Sequence, residues 1–177
     1  MRKFVLVGVV LVMTAVVLVT VVAAQGNGAG HASAQLVDAA GNEVGFGQFT
    51  EDATGLLHVN VHVKGVSAGQ HGIHLHAVGS CTPTFAAAGG HHNPLARQHG
   101  LHNPGGAHAG DLPNLEVNAA GVGRLVGTTD RATLSAGPTT LFDADGSAII
   151  IHANPDDQLT DPTGNSGGRI VCGVIVQ

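Results

Sequence analysis

Leu57-His58-Val59-Asn60-Val61-His62-Val63 alternates without a break: Leu57, Val59, Val61 and Val63 fall on one side, His58, Asn60 and His62 on the other. A period of two belongs to a β-strand, and an apolar face backed by a polar one marks a half-buried antiparallel strand. Outward from it, His31 to Val37 and Val44 to Thr50 read as strands separated by the turn-prone Asp38-Ala39-Ala40-Gly41-Asn42. Gly72 to Val78, Leu115 to Val117, Gly123 to Thr128, Ala148 to His152 and Arg169 to Val176 continue the series. Two stretches break it. Gly79 to Asn114 has no regular periodicity and is dominated by Gly, Pro, Asn and His, and Asn154 to Gly168 is a second irregular segment. Long segments without regular structure inside a compact domain are usually functional. The pattern predicts an all-β domain, a sandwich or barrel, with two long functional loops.

At 177 residues and 44% apolar content the chain has the material for one core. With no Trp or Tyr and five Phe, that core must be built from Val, Leu, Ile and Ala, with 27 glycines for turns and close approaches. The N-terminus is a separate object. Arg2 and Lys3 precede Phe4 to Val22, apolar apart from Gly8, Thr14 and Thr20, and Val22-Ala23-Ala24 offers small residues for cleavage. The apolar run also approaches the ~20 residues that span a bilayer. Residues 1–24 are therefore a signal peptide or an N-terminal membrane anchor, 25–30 a Gly-rich linker, and 31–177 the folded domain, exported and extracytoplasmic. Without Arg2 and Lys3 the formal charge goes from −5 to −7. There is neither a basic patch nor an aromatic stacking platform, which excludes nucleic acid as a partner. Any membrane contact is confined to an uncleaved N-terminal segment. In an exported chain two cysteines, Cys81 and Cys172, are most simply one disulfide.

Twelve histidines stand against seven Lys plus Arg. Seven candidate ligands stand out among the histidines and carboxylates: His74 and His76 in H-L-H, His91 in G-G-H-H-N-P, His99, His108 and Asp111 in H-A-G-D, and His152 after an apolar run. Residues two apart on a strand project to one side about 7 Å apart, so His74 and His76 can share an ion, with His152 from another strand supplying a third nitrogen. A near-planar nitrogen set suits copper, while His91, His99, His108 and Asp111 suit tetrahedral zinc. A histidine is by default a solvated or hydrogen-bonded side chain. That default is the reading for His58 and His62, which the alternation turns outward, and for His31, His92 and His102.

Gly72-Ile73-His74-Leu75-His76, Gly89-Gly90-His91-His92-Asn93-Pro94, Arg97-Gln98-His99-Gly100, His108-Ala109-Gly110-Asp111-Leu112 and Gly164-Asn165-Ser166-Gly167-Gly168-Arg169-Ile170-Val171-Cys172-Gly173-Val174-Ile175 together resemble a copper/zinc superoxide dismutase, most closely the bacterial exported type. The resemblance runs from about His31 to the C-terminus. It implies an eight-stranded antiparallel Greek-key barrel, with superoxide as substrate, copper and zinc as cofactors, and a monomer or homodimer. It assigns copper to His74, His76, His91 and His152, and zinc to His91, His99, His108 and Asp111, with His91 bridging the two and taking part in catalysis. His92 stands where the family usually has an aromatic residue. Asp156 matches an outer aspartate that bonds His74 and His99, and His71 a structural histidine beneath copper. Arg169, three residues before Cys172, matches the arginine beside copper, whose planar charge suits a small anion. One departure is plain: Asn154 to Gly168, where the family often carries lysines, has no Lys or Arg but contains Asp156, Asp157 and Asp161. A non-enzymatic copper/zinc-binding protein on the same fold is the alternative function.

Overall fold

The computed structural model describes Met1 and residues 30–177. The leader and linker assigned to residues 1–30 thus lie outside the described residues, apart from Met1 and Gly30. Among the described residues nine strands form: β1 (Gly30–Asp38), β2 (Glu43–Glu51), β3 (Leu57–Lys64), β4 (Gly69–His71), β5 (Ile73–His76), β6 (Leu115–Val117), β7 (Val122–Thr129), β8 (Ala148–His152) and β9 (Arg169–Val174). All pairings between them are antiparallel, in the order β4-β6-β7-β3-β2-β1-β9-β8-β5. The two ends of that order, β4 and β5, are adjacent in the chain through Gly72. Counted as one interrupted strand they make the expected eight, and that strand closes the barrel. At the interruption Gly72 N–H donates to Asn154 O (2.8 Å) and Gly72 O accepts from His152 N–H (2.8 Å). A Cβ at position 72 would lie 2.7 Å from that of Ser166 and 3.3 Å from His74 Cε1, so only glycine lets the backbone pass.

The alternation around Leu57 places its apolar face inside. Leu57, Val59, Val61 and Val63 are all buried, together with Leu36, Phe49, Ile73, Leu75, Leu115, Leu125, Ile149 and Ile151. Strand β8 is buried along its whole length. Ile149 and Ile151 enter the barrel, while Ala148 and Ile150 face outward into a smaller apolar cluster with Cys172 and Ala88. That cluster lies under the segment 79–114, whose one short regular element is a 3-10 turn at Phe85–Ala88. Core residues thus stand on both sides of β8, and the first irregular loop is packed onto the outside of the barrel wall.

Candidate metal centre

Along β5, Ile73 and Leu75 point into the core, which turns His74 and His76 to the outer face beneath that loop. One edge of β5 pairs with β8, setting His74 opposite Ile150 and His76 opposite Ala148. The other edge is taken by the loop. Leu75 N–H donates to Gly110 O (2.9 Å), His92 N–H to Leu75 O (2.8 Å) and Ala77 N–H to Gly90 O (2.9 Å). These bonds set His91 opposite His76 and Asp111 opposite His74. Gly110 is needed for so close an approach, because a Cβ there would strike Leu75 O. His152 closes β8 on the same outer face as Ile150. A loop without periodicity is therefore positioned residue by residue through backbone pairing with a strand edge.

All seven predicted ligands come together and are buried. Four ring nitrogens, His74 Nδ1, His76 Nε2, His91 Nε2 and His152 Nε2, are buried without any hydrogen-bond partner. The four residues each offer a ligand atom within 4.8 Å of the others. Burying an imidazole nitrogen unpaired costs roughly 1–3 kcal/mol, so four facing each other call for a cation. Their opposite nitrogens are all committed. His74 Nε2–H donates to Asp156 Oδ2 (2.7 Å), His76 Nδ1–H to Gly89 O (3.0 Å) and His152 Nδ1–H to Gly167 O (3.1 Å). Each bond fixes the tautomer that turns a lone pair toward the other rings.

His91 presents its second nitrogen to a different group. Its Nδ1 lies 3.0 Å from Asp111 Oδ1 and 3.3 Å from His108 Nδ1, and His99 Nδ1 also lies 3.0 Å from Asp111 Oδ1. Three imidazoles and a carboxylate thus converge as the chemistry of zinc requires. His74 is close enough to His91, His99 and Asp111 to be counted with them on distance alone. Its Nε2 is bound to Asp156, however, and its free Nδ1 belongs to the four-nitrogen group. Asp111 Oδ2 accepts from Gly100 N–H (2.8 Å) and His108 N–H (2.9 Å), which orients the carboxylate.

The electrostatics divide the centre in two. Burial pushes His76 down to about 2, His74 to about 3 and His152 to about 4, and it lowers His91 as well; the charges of neighbouring histidines add to each shift. Burial thus favours the neutral form of these rings, the form in which an imidazole can bind a metal. Burial also disfavours charge on His99, but hydrogen bonds from both its nitrogens to Asp111 and Asp156 prevail and raise it to about 9. Both carboxyls are held well below the usual range: burial opposes this, and bonds from the surrounding histidines overcome it. The two carboxylates thus favour the charged form of His99 between them.

Asp156 joins the halves from behind, since its Oδ1 accepts from His99 Nε2–H (3.0 Å) while Oδ2 holds His74. His71 lies buried below, its Nδ1–H donating to His152 O (2.8 Å), with Ser67 O at 2.9 Å from its Nε2. Arg169 donates from one terminal nitrogen to Phe85 O (2.6 Å) and from the other to Gly89 O, the same carbonyl that accepts from His76. Its charge helps to lower His76 and His152, which places it beside the four-nitrogen group. Cys81 and Cys172 form a disulfide, with Cα atoms 5.9 Å apart, tying the loop to β9 near Arg169.

The other histidines lie elsewhere. His58 donates to Asp52 at 3.0 Å, His62 stacks on Phe46 with ring centroids 5.4 Å apart, and His31 bonds Thr50 at 3.2 Å, all on the outer wall of the barrel. His102 is exposed. His92 differs from the expected solvated loop residue: it is only 2% exposed, because its backbone pairs with β5 and draws the ring under the loop, where Nε2–H donates to Thr139 O (3.3 Å). Sequence reading missed Gln158 and Gly164. Gln158 donates through N–H to Asp156 Oδ1 (2.6 Å) and through Nε2 to Leu112 O (3.1 Å). Gly164, at φ +60°, sits against Asp156 Oδ1 and His99 Nε2. Gly164 opens the C-terminal motif quoted above, but nothing in that motif gave it a role.

Residues 43–175 match the copper/zinc superoxide dismutase family. The superoxide dismutase-like protein YojM of Bacillus subtilis is 44% identical over 80% of this chain and 74% of its own length. A copper/zinc superoxide dismutase of Aquifex aeolicus is 40% identical over 81% of this chain and 85% of its own. Among solved structures, a SOD-like protein from Bacillus subtilis superposes with a TM-score of 0.78 at 43% identity, covering 84% of this chain and all of that one. The clock protein EA4 superposes with a TM-score of 0.71 at 33% identity, over 82% of this chain and 92% of that one. With two converging ligand groups that share one imidazole, and with this similarity over most of its length, the chain belongs to the copper/zinc superoxide dismutase family, and copper and zinc are its cofactors.

Proposed function

We propose that the domain dismutates superoxide outside the cytoplasm. His74 Nδ1 and the Nε2 atoms of His76, His91 and His152 would hold copper. The Nδ1 atoms of His91, His99 and His108, with Asp111 Oδ1, would hold zinc. The observation that carries the reading is the set of four unpartnered buried nitrogens next to a fixed guanidinium. When bound, copper supplies a one-electron couple and zinc a fixed charge. The rest falls to the chain. Arg169 spends donors on Phe85 O and Gly89 O, which fixes its plane and leaves others for a small anion. His91 Nε2 is a proton site from which burial and neighbouring positive charge favour release. When not held by copper it can take a proton from solvent and pass it to the reduced substrate; with a second proton from solvent, two superoxide ions become O₂ and hydrogen peroxide. Asp156 holds the tautomers of His74 and His99 throughout.

Export, with residues 1–24 as leader or anchor and 25–30 as linker, is supported by the N-terminal apolar run and by the Cys81–Cys172 disulfide. A second reading, metal binding without turnover, is favoured by the similarity to proteins described as superoxide dismutase-like. Metal content and superoxide consumption of the purified domain after copper and zinc loading separate the two. The enzyme reading expects copper and zinc each near one per chain, with turnover; loaded copper without turnover leaves the binding reading. Arg169→Ile should slow turnover by about tenfold or more, as loss of a fixed donor to a reacting anion does, while copper content stays the same. Simultaneous copper loss would contradict the role given to Arg169.

A further inference from the structure

The three imidazoles of the zinc group turn Nδ1 inward, and each has a second nitrogen that needs company. His91 Nε2 faces the four-nitrogen group, and His99 Nε2 is bound by Asp156. His108 Nε2 faces Asp161 Oδ1 at 3.7 Å. The same oxygen accepts from His99 N–H at 2.6 Å. One carboxylate on the 154–168 loop therefore meets two of the zinc residues, one through its ring and one through its backbone.

We propose that Asp161 is a positioning residue of the zinc centre, orienting His108 through Nε2 and anchoring His99 through its amide. The inference rests on the assignment of zinc to His91, His99, His108 and Asp111. A ring–carboxylate separation of 3.7 Å exceeds a direct hydrogen bond, and a small closure turns the contact into a bond from the His108 Nε2–H to the carboxylate. A carboxylate behind a ligating imidazole fixes its tautomer and raises its basicity. Asp161 is not needed to shape its own loop, because Asp157 does that. Asp157 accepts from Leu159 N–H (2.9 Å), Thr160 N–H (2.8 Å) and Asn165 Nδ2–H (2.9 Å), all within the loop. The two aspartates thus separate loop order from ligand orientation.

The test compares Asp161→Ala, Asp161→Glu and Asp157→Ala in the full domain. Zinc affinity would be measured by competition with a chromophoric chelator, and the visible absorption of cobalt(II) placed in the zinc group would report its geometry. Asp161→Ala should weaken zinc by about 10–100-fold and shift the cobalt bands, as loss of an outer partner does, while Asp161→Glu recovers most of the affinity. Asp157→Ala should cost far less, and copper EPR should be unchanged in all three. Unaltered zinc affinity and cobalt bands in Asp161→Ala, or equal losses in Asp161→Ala and Asp157→Ala, would overturn the proposal. If Asp161→Ala does not fold, Asp161→Asn, which keeps an acceptor for the His99 amide, is held to the same comparison. A parent protein that binds no zinc would instead overturn the metal assignment itself, a result distinct from parent and variant binding zinc equally.

Discussion

At Gly164 a single methyl group is enough to disturb both halves of the centre. The residue lies at φ +60°, and a Cβ would strike Asp156 Oδ1 and His99 Nε2. Left-handed backbone costs a non-glycine residue about 1–2 kcal/mol, and the clash falls on the carboxylate that fixes His74 and His99. Gly164→Ala should therefore lose at least that much stability in chemical denaturation and bind both metals more weakly; unchanged metal titrations would refute the argument. His99 makes a second residue-scale prediction. Its pKa is raised to about 9 from an ordinary 6.5, so the stability it lends the metal-free protein is complete below about 6.5 and is lost as pH rises through about 9. Zinc must displace that proton. Apparent zinc affinity should rise about tenfold per pH unit up to pH 9 and then level off, which chelator competition from pH 6 to 10 would reveal. A flat profile would mean that His99 is neutral before zinc arrives.

The loop 79–114 is attached to the barrel by three devices. Its backbone pairs with β5, Phe85 and Ala88 pack on Ile150 and Cys172, and the disulfide joins Cys81 to β9 across 91 residues. A cross-link spanning that separation is worth about 4–5 kcal/mol in the chain-entropy model. Cys81→Ser should lower stability by a few kcal/mol in denaturation with and without reductant. It should also slow turnover more than it lowers metal content, because the loop carries Phe85 O and Gly89 O, which hold Arg169. Equal loss of metal and turnover would show that the cross-link serves the ligands instead. At this scale sequence and structure agree where a period exists. β3, β6 and β8 begin where alternation or apolar runs predicted them. β4 was not legible, since Gly69-Gln70-His71 has no apolar pattern, and neither was the break at Gly72, where the close approach of distant Ser166 leaves no room for a side chain. The cluster of six histidines and Asp111 was legible because metal chemistry restricts residue type. Gln158, Gly164 and the role of Asp161 were not, because they act through long-range contacts within irregular loops that no local pattern encodes.

On the scale of the whole molecule the question is how an acidic protein receives an anion. Apart from Arg2 and Lys3 the basic side chains are Lys64, Arg97, Arg124, Arg131 and Arg169, which against twelve acidic residues give the rest of the chain a formal charge of −7. Electrostatic guidance of superoxide is an established property of the family; what is particular here is a 154–168 loop with no Lys or Arg and three aspartates. Asp156 is buried against the histidines, but the Asp161 side chain, beside His108, is 47% exposed and adds negative potential there. Attraction then depends on Arg169 and the bound metals, over distances too short for salt to screen strongly. Between 10 and 200 mM ionic strength the screening length falls from about 30 to about 7 Å, and the turnover rate should change by less than about twofold. Leu159 provides the complementary test, being 53% exposed on this same loop. Leu159→Lys should raise the low-salt rate a few-fold and introduce a decline with salt, since added complementary charge speeds encounter chiefly at low ionic strength. A parent rate that already falls steeply with salt would show that the five remaining basic residues steer the substrate despite the acidic surroundings.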